Sequence, residues 1–162
     1  MAENLIIDPS LPKSQQLESL LAQIKALTAG EPDATANTAN TMAALCQARG
    51  YFWVGCYMAA GNQLVLGPFQ GPVACTRIAH GRGVCGSAWA QNRTLVVPDV
   101  EAFPGHIACS SESKSEVVVP LRTTAGTVIG VLDVDSDRPD DFDPEEVAFL
   151  EKTAEIIAGF YA

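Results

Sequence analysis

The segment "SEVVVPLRTTAGTVIGVLDVD", Ser115 to Asp135, constrains the fold of this chain more than any other. Two runs rich in valine and isoleucine flank Thr124-Ala125-Gly126, which predicts a long β-hairpin. In its second strand Asp133 and Asp135 share one face, while Leu132 and Val134 take the other. Two carboxylates on one side of an otherwise apolar strand repel each other and lose water. A ligand cation, a metal or a shared proton would offset that cost. Glu116 opens the facing strand and could join them. Alternatively the aspartates end the strand and turn into solvent through "SDRPDD"; the residues alone leave both open.

Around that hairpin the pattern changes twice. Leu17, Leu20, Leu21, Ile24 and Leu27 recur at helical spacing within Lys13 to Thr28, with Gly30 and Pro32 as stops. An Ala-rich second helix is expected from about Asp33 to Arg49, ended by Gly50. From Tyr51 strands follow: "YFWVGCYMAA" and "QLVLGPF" pair through Gly61-Asn62, and "PVACTRIA" makes a third. "GRGVCGSAWAQN" predicts a short helix, and "TLVVPDV" a brief fourth strand. "FDPEEVAFLEKTAEIIAGFY" predicts a terminal helix with Asp143 as cap, Pro144 in the first turn and Glu146 closing a capping box. The order implies an α+β fold, with a mostly antiparallel sheet of about six strands. Helices from both chain ends cover one face, and loops from Arg77 to Glu116 cover a pocket on the other. A chain of 162 residues, 48% of them apolar, suits a single domain over 1–162, with an N-terminal helix in 1–30.

Net charge is −9, which would repel a phosphate backbone and disfavours nucleic-acid binding. No apolar run approaches the roughly 18 residues of a membrane span. The start, "MAENLIIDPSLPKS", lacks the basic and apolar regions of a signal peptide, so a cytoplasmic location is expected. In a reducing compartment five cysteines are core residues, ligands or redox groups more often than permanent crosslinks.

Strand alternation sorts side chains by face. Trp53, Gly55 and Tyr57 point toward the pocket, while Phe52, Val54, Cys56 and Met58 point toward the helices, which makes Cys56 a core thiol. Cys46, in the second helix, is read the same way. If Glu116, Asp133 and Asp135 converge, ionised members could bind a ligand ammonium, and another could stay protonated to donate near neutral pH. Trp53 and Tyr57 beside them would suit a thioether-sized group.

Cys75, Cys85 and Cys109 lie in or beside the loops over that face. Cys109 sits in "GHIACSSESKSE", a stretch too polar for core. As a nucleophile it would be accessible, with backbone N–H groups of Gly105 to Ser110 near a developing oxyanion. An oxidised Cys109 would need a second thiol to resolve it, and Cys75 is the natural candidate. Cys85 either packs or gains thiolate character at a helix N-terminus. No metal is assigned: zinc sites favour closely spaced ligand pairs, and His106 with Cys109 has no matching second pair.

"GPFQGPVACTRIAHGRGVCGSA", "GHIACSSESKSEVVVPL" and "VIGVLDVDS" together resemble the free methionine-(R)-sulfoxide reductases, small members of the GAF domain fold. The similarity runs from about residue 33 to the C-terminus, and three cysteines and three acids fit in order and spacing.

The resemblance implies thiol-dependent reduction of free methionine-(R)-sulfoxide. Cys109 would attack the sulfoxide sulfur and become a sulfenic acid. Cys75 would close a disulfide with it, Cys85 would be a secondary resolving thiol, and thioredoxin would regenerate the dithiol. Glu116, Asp133 and Asp135 would hold the amino group and protonate the oxygen, with Glu116 and Asp135 counted as catalytic. Trp53 and Tyr57 would pack around the methyl group and side chain. No cofactor is implied, and a homodimer through the N-terminal helices is left open. Two other classes stay in view: a GAF sensor that binds a small ligand without chemistry, and a divalent-metal enzyme built on Asp133 and Asp135.

Overall fold

In the computed structural model, which describes residues 4–107 and 109–162, periodicity becomes layers. Helix α1 (Lys13–Thr28) buries Leu17, Leu20 and Ile24, one stripe of its surface. Helix α2 (Ala34–Arg49) starts where the Ala36 N–H donates to the Asp33 carboxylate at 2.8 Å, and ends at Gly50 in the left-handed conformation, φ 66°. Strands β1 (Trp53–Ala60) and β2 (Gln63–Gln70) form the hairpin expected around Gly61-Asn62. A short β3 (Arg77–Ala79), helix α3 (Gly83–Gln91) and β4 (Leu95–Val97) lead to the long hairpin of β5 (Ser115–Arg122) and β6 (Val128–Ser136). Helix α4 (Pro144–Phe160) closes the chain.

The six strands make one antiparallel sheet in the order β3-β2-β1-β6-β5-β4. Central β6 therefore has β1 on one side and β5 on the other. One sheet face contributes Val54, Cys56, Val117, Val119, Leu132 and Val134 to a core closed by α1, α2 and α4. The opposite face, under α3 and the loops, gathers Trp53, Tyr57, Leu64, Val118 and Val131.

Three expectations are corrected. Only Arg77–Ala79 of "PVACTRIA" pairs with β2, so Cys75 lies in an irregular segment ahead of β3, free to follow a path the pleat would not allow. Strand β1 begins at Trp53, not Tyr51, and Phe52 packs on the pocket side. Alternation governs only paired backbone, and Phe52 precedes it. The capping box on α4 is half formed. The Glu146 N–H does donate to Asp143 at 2.8 Å, but the Glu146 side chain turns to Arg49, Lys13 and Tyr51. Those cations offer more than a single backbone N–H.

Candidate active site

The site grows from the register of the two central strand pairs. Glu116 on β5 lies opposite Asp135 on β6, and Asp133 sits between Gly55 of β1 and Val118 of β5. All three acids point to the face away from the terminal helices and line one cavity with Trp53, Tyr57, Cys85, His106 and Cys109. Glu116 is 5% exposed and Asp133 6%, so the carboxylates have lost nearly all their water. The pair does not run out into solvent.

Packing explains how Trp53 reaches the acids. Its indole stacks on Tyr57 and Phe69, with ring centroids 6.0 and 5.3 Å away. The ring lies across Gly55, where an added Cβ would fall 2.5 Å from Phe69 Cβ and closer still to the indole. A glycine at 55 is therefore required for the aromatic wall. The indole N–H donates to the Pro72 carbonyl at 3.0 Å, and the Tyr57 hydroxyl donates to the Cys75 carbonyl at 2.9 Å. These two bonds tie the irregular segment before β3 to the strand carrying the aromatics.

Cys75 and Cys109 are joined by a disulfide, with Cα atoms 5.7 Å apart. Cys109 is exposed and Cys75 half-buried. Of the loop expected to offer backbone N–H groups, Ala108 lies outside the described residues. The N–H groups of His106 and Cys109 donate to the Phe103 and Ile107 carbonyls, at 3.2 and 3.1 Å, and are not free for an oxyanion. Cys85 is buried in α3, its Sγ 4.0 Å from Glu116 Oε1. Burial and the carboxylates around it hold that thiol well above its ordinary range. The thiolate character considered for it is corrected: any pull from the helix end is outweighed by lost hydration and negative neighbours.

Electrostatics make the acids unusual. Burial, with Asp133 and Asp135 close by, pushes Glu116 well above the ordinary carboxylate range. Burial and Asp133 do the same to Asp135, although Ser113 Oγ donates to it at 2.6 Å, and burial raises Asp133. Asp133 Oδ1 is buried and accepts no hydrogen bond from any described residue. Among the described residues no lysine or arginine forms an ion pair with these three; the nearest base is His106, its Nε2 3.8 Å from Glu116 Oε2. Such a cluster holds its protons more tightly than free carboxylates do, and its ionised members attract a cation.

His106, paired with Cys109 on sequence grounds, turns its ring to Glu116, and Ser113 donates to Asp135. Neither carries a sequence signal stronger than proximity to Cys109.

A cavity beside the sheet, opposite the terminal helices, is the arrangement of a ligand-binding α+β domain, and the match extends to sequence. The GAF domain model matches residues 33–159. The chain belongs to the GAF domain family. Over 97% of its length it is 54% identical to GAF domain-containing protein A of Dictyostelium discoideum, covering 99% of that protein. It is 39% identical to the free methionine-R-sulfoxide reductase of Saccharomyces cerevisiae, across 96% of this chain and 91% of that one. The crystal structure of free methionine-R-sulfoxide reductase from Neisseria meningitidis, in complex with its substrate, superposes with a TM-score of 0.94 at 48% identity, covering 99% of this chain and 96% of that one. Within the GAF fold, this chain is a member of the free methionine-R-sulfoxide reductase family.

Proposed function

We propose that this chain reduces free methionine-(R)-sulfoxide to methionine, with Cys109 as nucleophile, Cys75 as resolving thiol and the three-acid cluster as substrate cradle and proton source. The observation that carries the reading is one cavity lined by both Cys109 and the acids, with Cys109 already bonded to Cys75. Protonating the sulfoxide oxygen makes its sulfur electrophilic enough for a thiol to attack, so the thiol needs an acid beside it. Glu116 and Asp135, both shifted upward, suit that role, while Asp133, with an unpartnered oxygen, suits the substrate ammonium. Trp53 and Tyr57 wall the space for the methyl and thioether groups.

The Cys109 sulfur bonds to the sulfoxide sulfur while an acid protonates the oxygen; the oxygen then migrates to Cys109 as the new S–S bond and the substrate S–O bond break, which releases methionine and leaves a Cys109 sulfenic acid. The Cys75 thiol then attacks that sulfur and expels water, leaving the Cys75–Cys109 disulfide. A dithiol protein such as thioredoxin exchanges with the exposed disulfide, is itself oxidised, and returns two thiols. Cys85, buried and protonated, keeps only a secondary place in this scheme.

The deciding measurement counts methionine formed from the free (R)-sulfoxide with dithiothreitol present. Cys109→Ser is expected to abolish turnover, and retained turnover would remove Cys109 as nucleophile. Cys75→Ser is expected to form one methionine per chain in a single turnover while thioredoxin-driven cycling falls at least about tenfold. Undiminished cycling would transfer the resolving role to Cys85.

A further inference from the structure

We infer that Cys85, Glu116 and Asp133, with His106 as fourth donor, form a binding site for a thiophilic divalent cation such as Zn²⁺. One sulfur and two carboxylate oxygens, offered by α3, β5 and β6, lie within 4.8 Å of one another, and all three residues are buried. His106 Nε2 is 3.8 Å from Glu116 Oε2. A tetrahedral zinc with bonds of about 2.0–2.3 Å places its donors about 3.3–3.8 Å apart, so side-chain rotations of about an ångström bring Cys85, Glu116 and Asp133 onto it, and His106 would turn from Glu116 into the fourth position. Sulfur and imidazole donors favour zinc over magnesium or calcium.

A second observation points the same way. Asp133 Oδ1 is buried in this cluster without a hydrogen-bond partner among the described residues. A cation there would satisfy it and neutralise acids that, among the described residues, lack a lysine or arginine within ion-pair distance. Binding would release the Cys85 proton, and any proton on Glu116, to solvent. Sequence spacing hides this set, because its members are 31 and 17 positions apart. The site needs no particular redox state of Cys75 and Cys109, whose disulfide leaves Cys85 free. Where the metal sits, the substrate ammonium is also placed, so Zn²⁺ would compete with free methionine-(R)-sulfoxide; that consequence alone rests on the proposed function.

The test uses the oxidised protein, in which Cys75 and Cys109 cannot ligate, and Co²⁺ as an optical stand-in for Zn²⁺. One Co²⁺ per chain should bind with a sulfur-to-cobalt charge-transfer band that Zn²⁺ bleaches. Cys85→Ala should abolish the band and weaken Zn²⁺ binding at least about tenfold, whereas Cys46→Ala should change neither. Asp133→Asn should keep the band and weaken binding at least about tenfold; it decides the matter if Cys85→Ala fails to fold. No stoichiometric binding by the unaltered protein, or unchanged affinity in both site variants, overturns the site. In a Cys75→Ser, Cys109→Ser double variant, one equivalent of Zn²⁺ should raise the Kd for free methionine-(R)-sulfoxide at least about tenfold. Metal binding without that competition supports the site and counts against the acid cradle, so the two readings fail separately.

Discussion

Two glutamates on opposite sides of the sheet are buried to the same degree, yet their protons behave in opposite ways. Glu146, at the start of α4, is 3% exposed; Glu116, on β5, is 5% exposed. Arg49 grips Glu146 with two hydrogen bonds at 2.9 and 2.8 Å, Lys13 reaches it at 2.9 Å, and Tyr51 donates to it. Those partners outweigh burial and hold Glu146 below the ordinary range. Glu116 has carboxylates and a thiol where Glu146 has cations, and burial holds it well above that range. Burial raises both glutamates, and only the cations and hydroxyl around Glu146 reverse the sign. On the helix side the sign ties α1, α2 and α4 together; on the pocket side it stores a proton.

The largest expected effect breaks the helix-side partner of this pair. Glu146→Gln would leave Arg49 and Lys13 without their counterion and should cost about 3 kcal/mol, some 10 °C in Tm by calorimetry. A change under about 1 kcal/mol would show the cluster to be incidental. Glu116→Gln is expected to leave the fold intact yet lower kcat/KM for free methionine-(R)-sulfoxide at least about a hundredfold, a loss of about 2.7 kcal/mol in transition-state stabilisation. Loss confined to KM would make Glu116 a binding group only.

The pH dependence of stability should separate the two glutamates by sign, with a chelator present to exclude metal. The Glu146 proton is bound more weakly in the folded chain, so its contribution is present above the unfolded pKa and lost as pH falls through the lower folded value. Glu116 holds its proton more tightly when folded. Its contribution is full below the unfolded pKa and disappears as pH rises through the folded value. Glu116→Gln should accordingly stabilise the protein at pH 8, by about 1 kcal/mol, and not at pH 4. Equal Tm shifts at both pH values would contradict the contrast. The smallest effect belongs to Tyr57→Phe, which removes the hydrogen bond to the Cys75 carbonyl at a cost of about 1 kcal/mol. Stopped-flow measurement of disulfide closure should show slowing of about tenfold or less; a rate unchanged within error would leave that bond no part in holding Cys75.

Which parts of this were legible follows from the range of the forces involved. Leu17, Leu20 and Ile24 announced α1 because a helix repeats within one turn, and Asp133 and Asp135 announced a shared face because a strand repeats every two residues. The cap of Asp143 on the Glu146 N–H is equally local. The destination of the Glu146 side chain was not legible, because Arg49 and Lys13 come from other helices. Alternation misplaces Phe52, because nothing in its neighbours marks where pairing begins. The environment of Cys85 depended on Glu116 and Asp133, which reach it only once α3 has packed on β5 and β6.

By itself, then, the chain of residues determined the elements, the alternation that aims three acids one way, and a family pattern of cysteines. The tertiary structure alone decided that no lysine or arginine among the described residues pairs with those acids and that His106 turns to Glu116. It also decided that one buried glutamate binds its proton loosely and the other tightly. Local geometry is written in neighbouring residues; the sign of a buried charge is set by whichever distant segments fold against it.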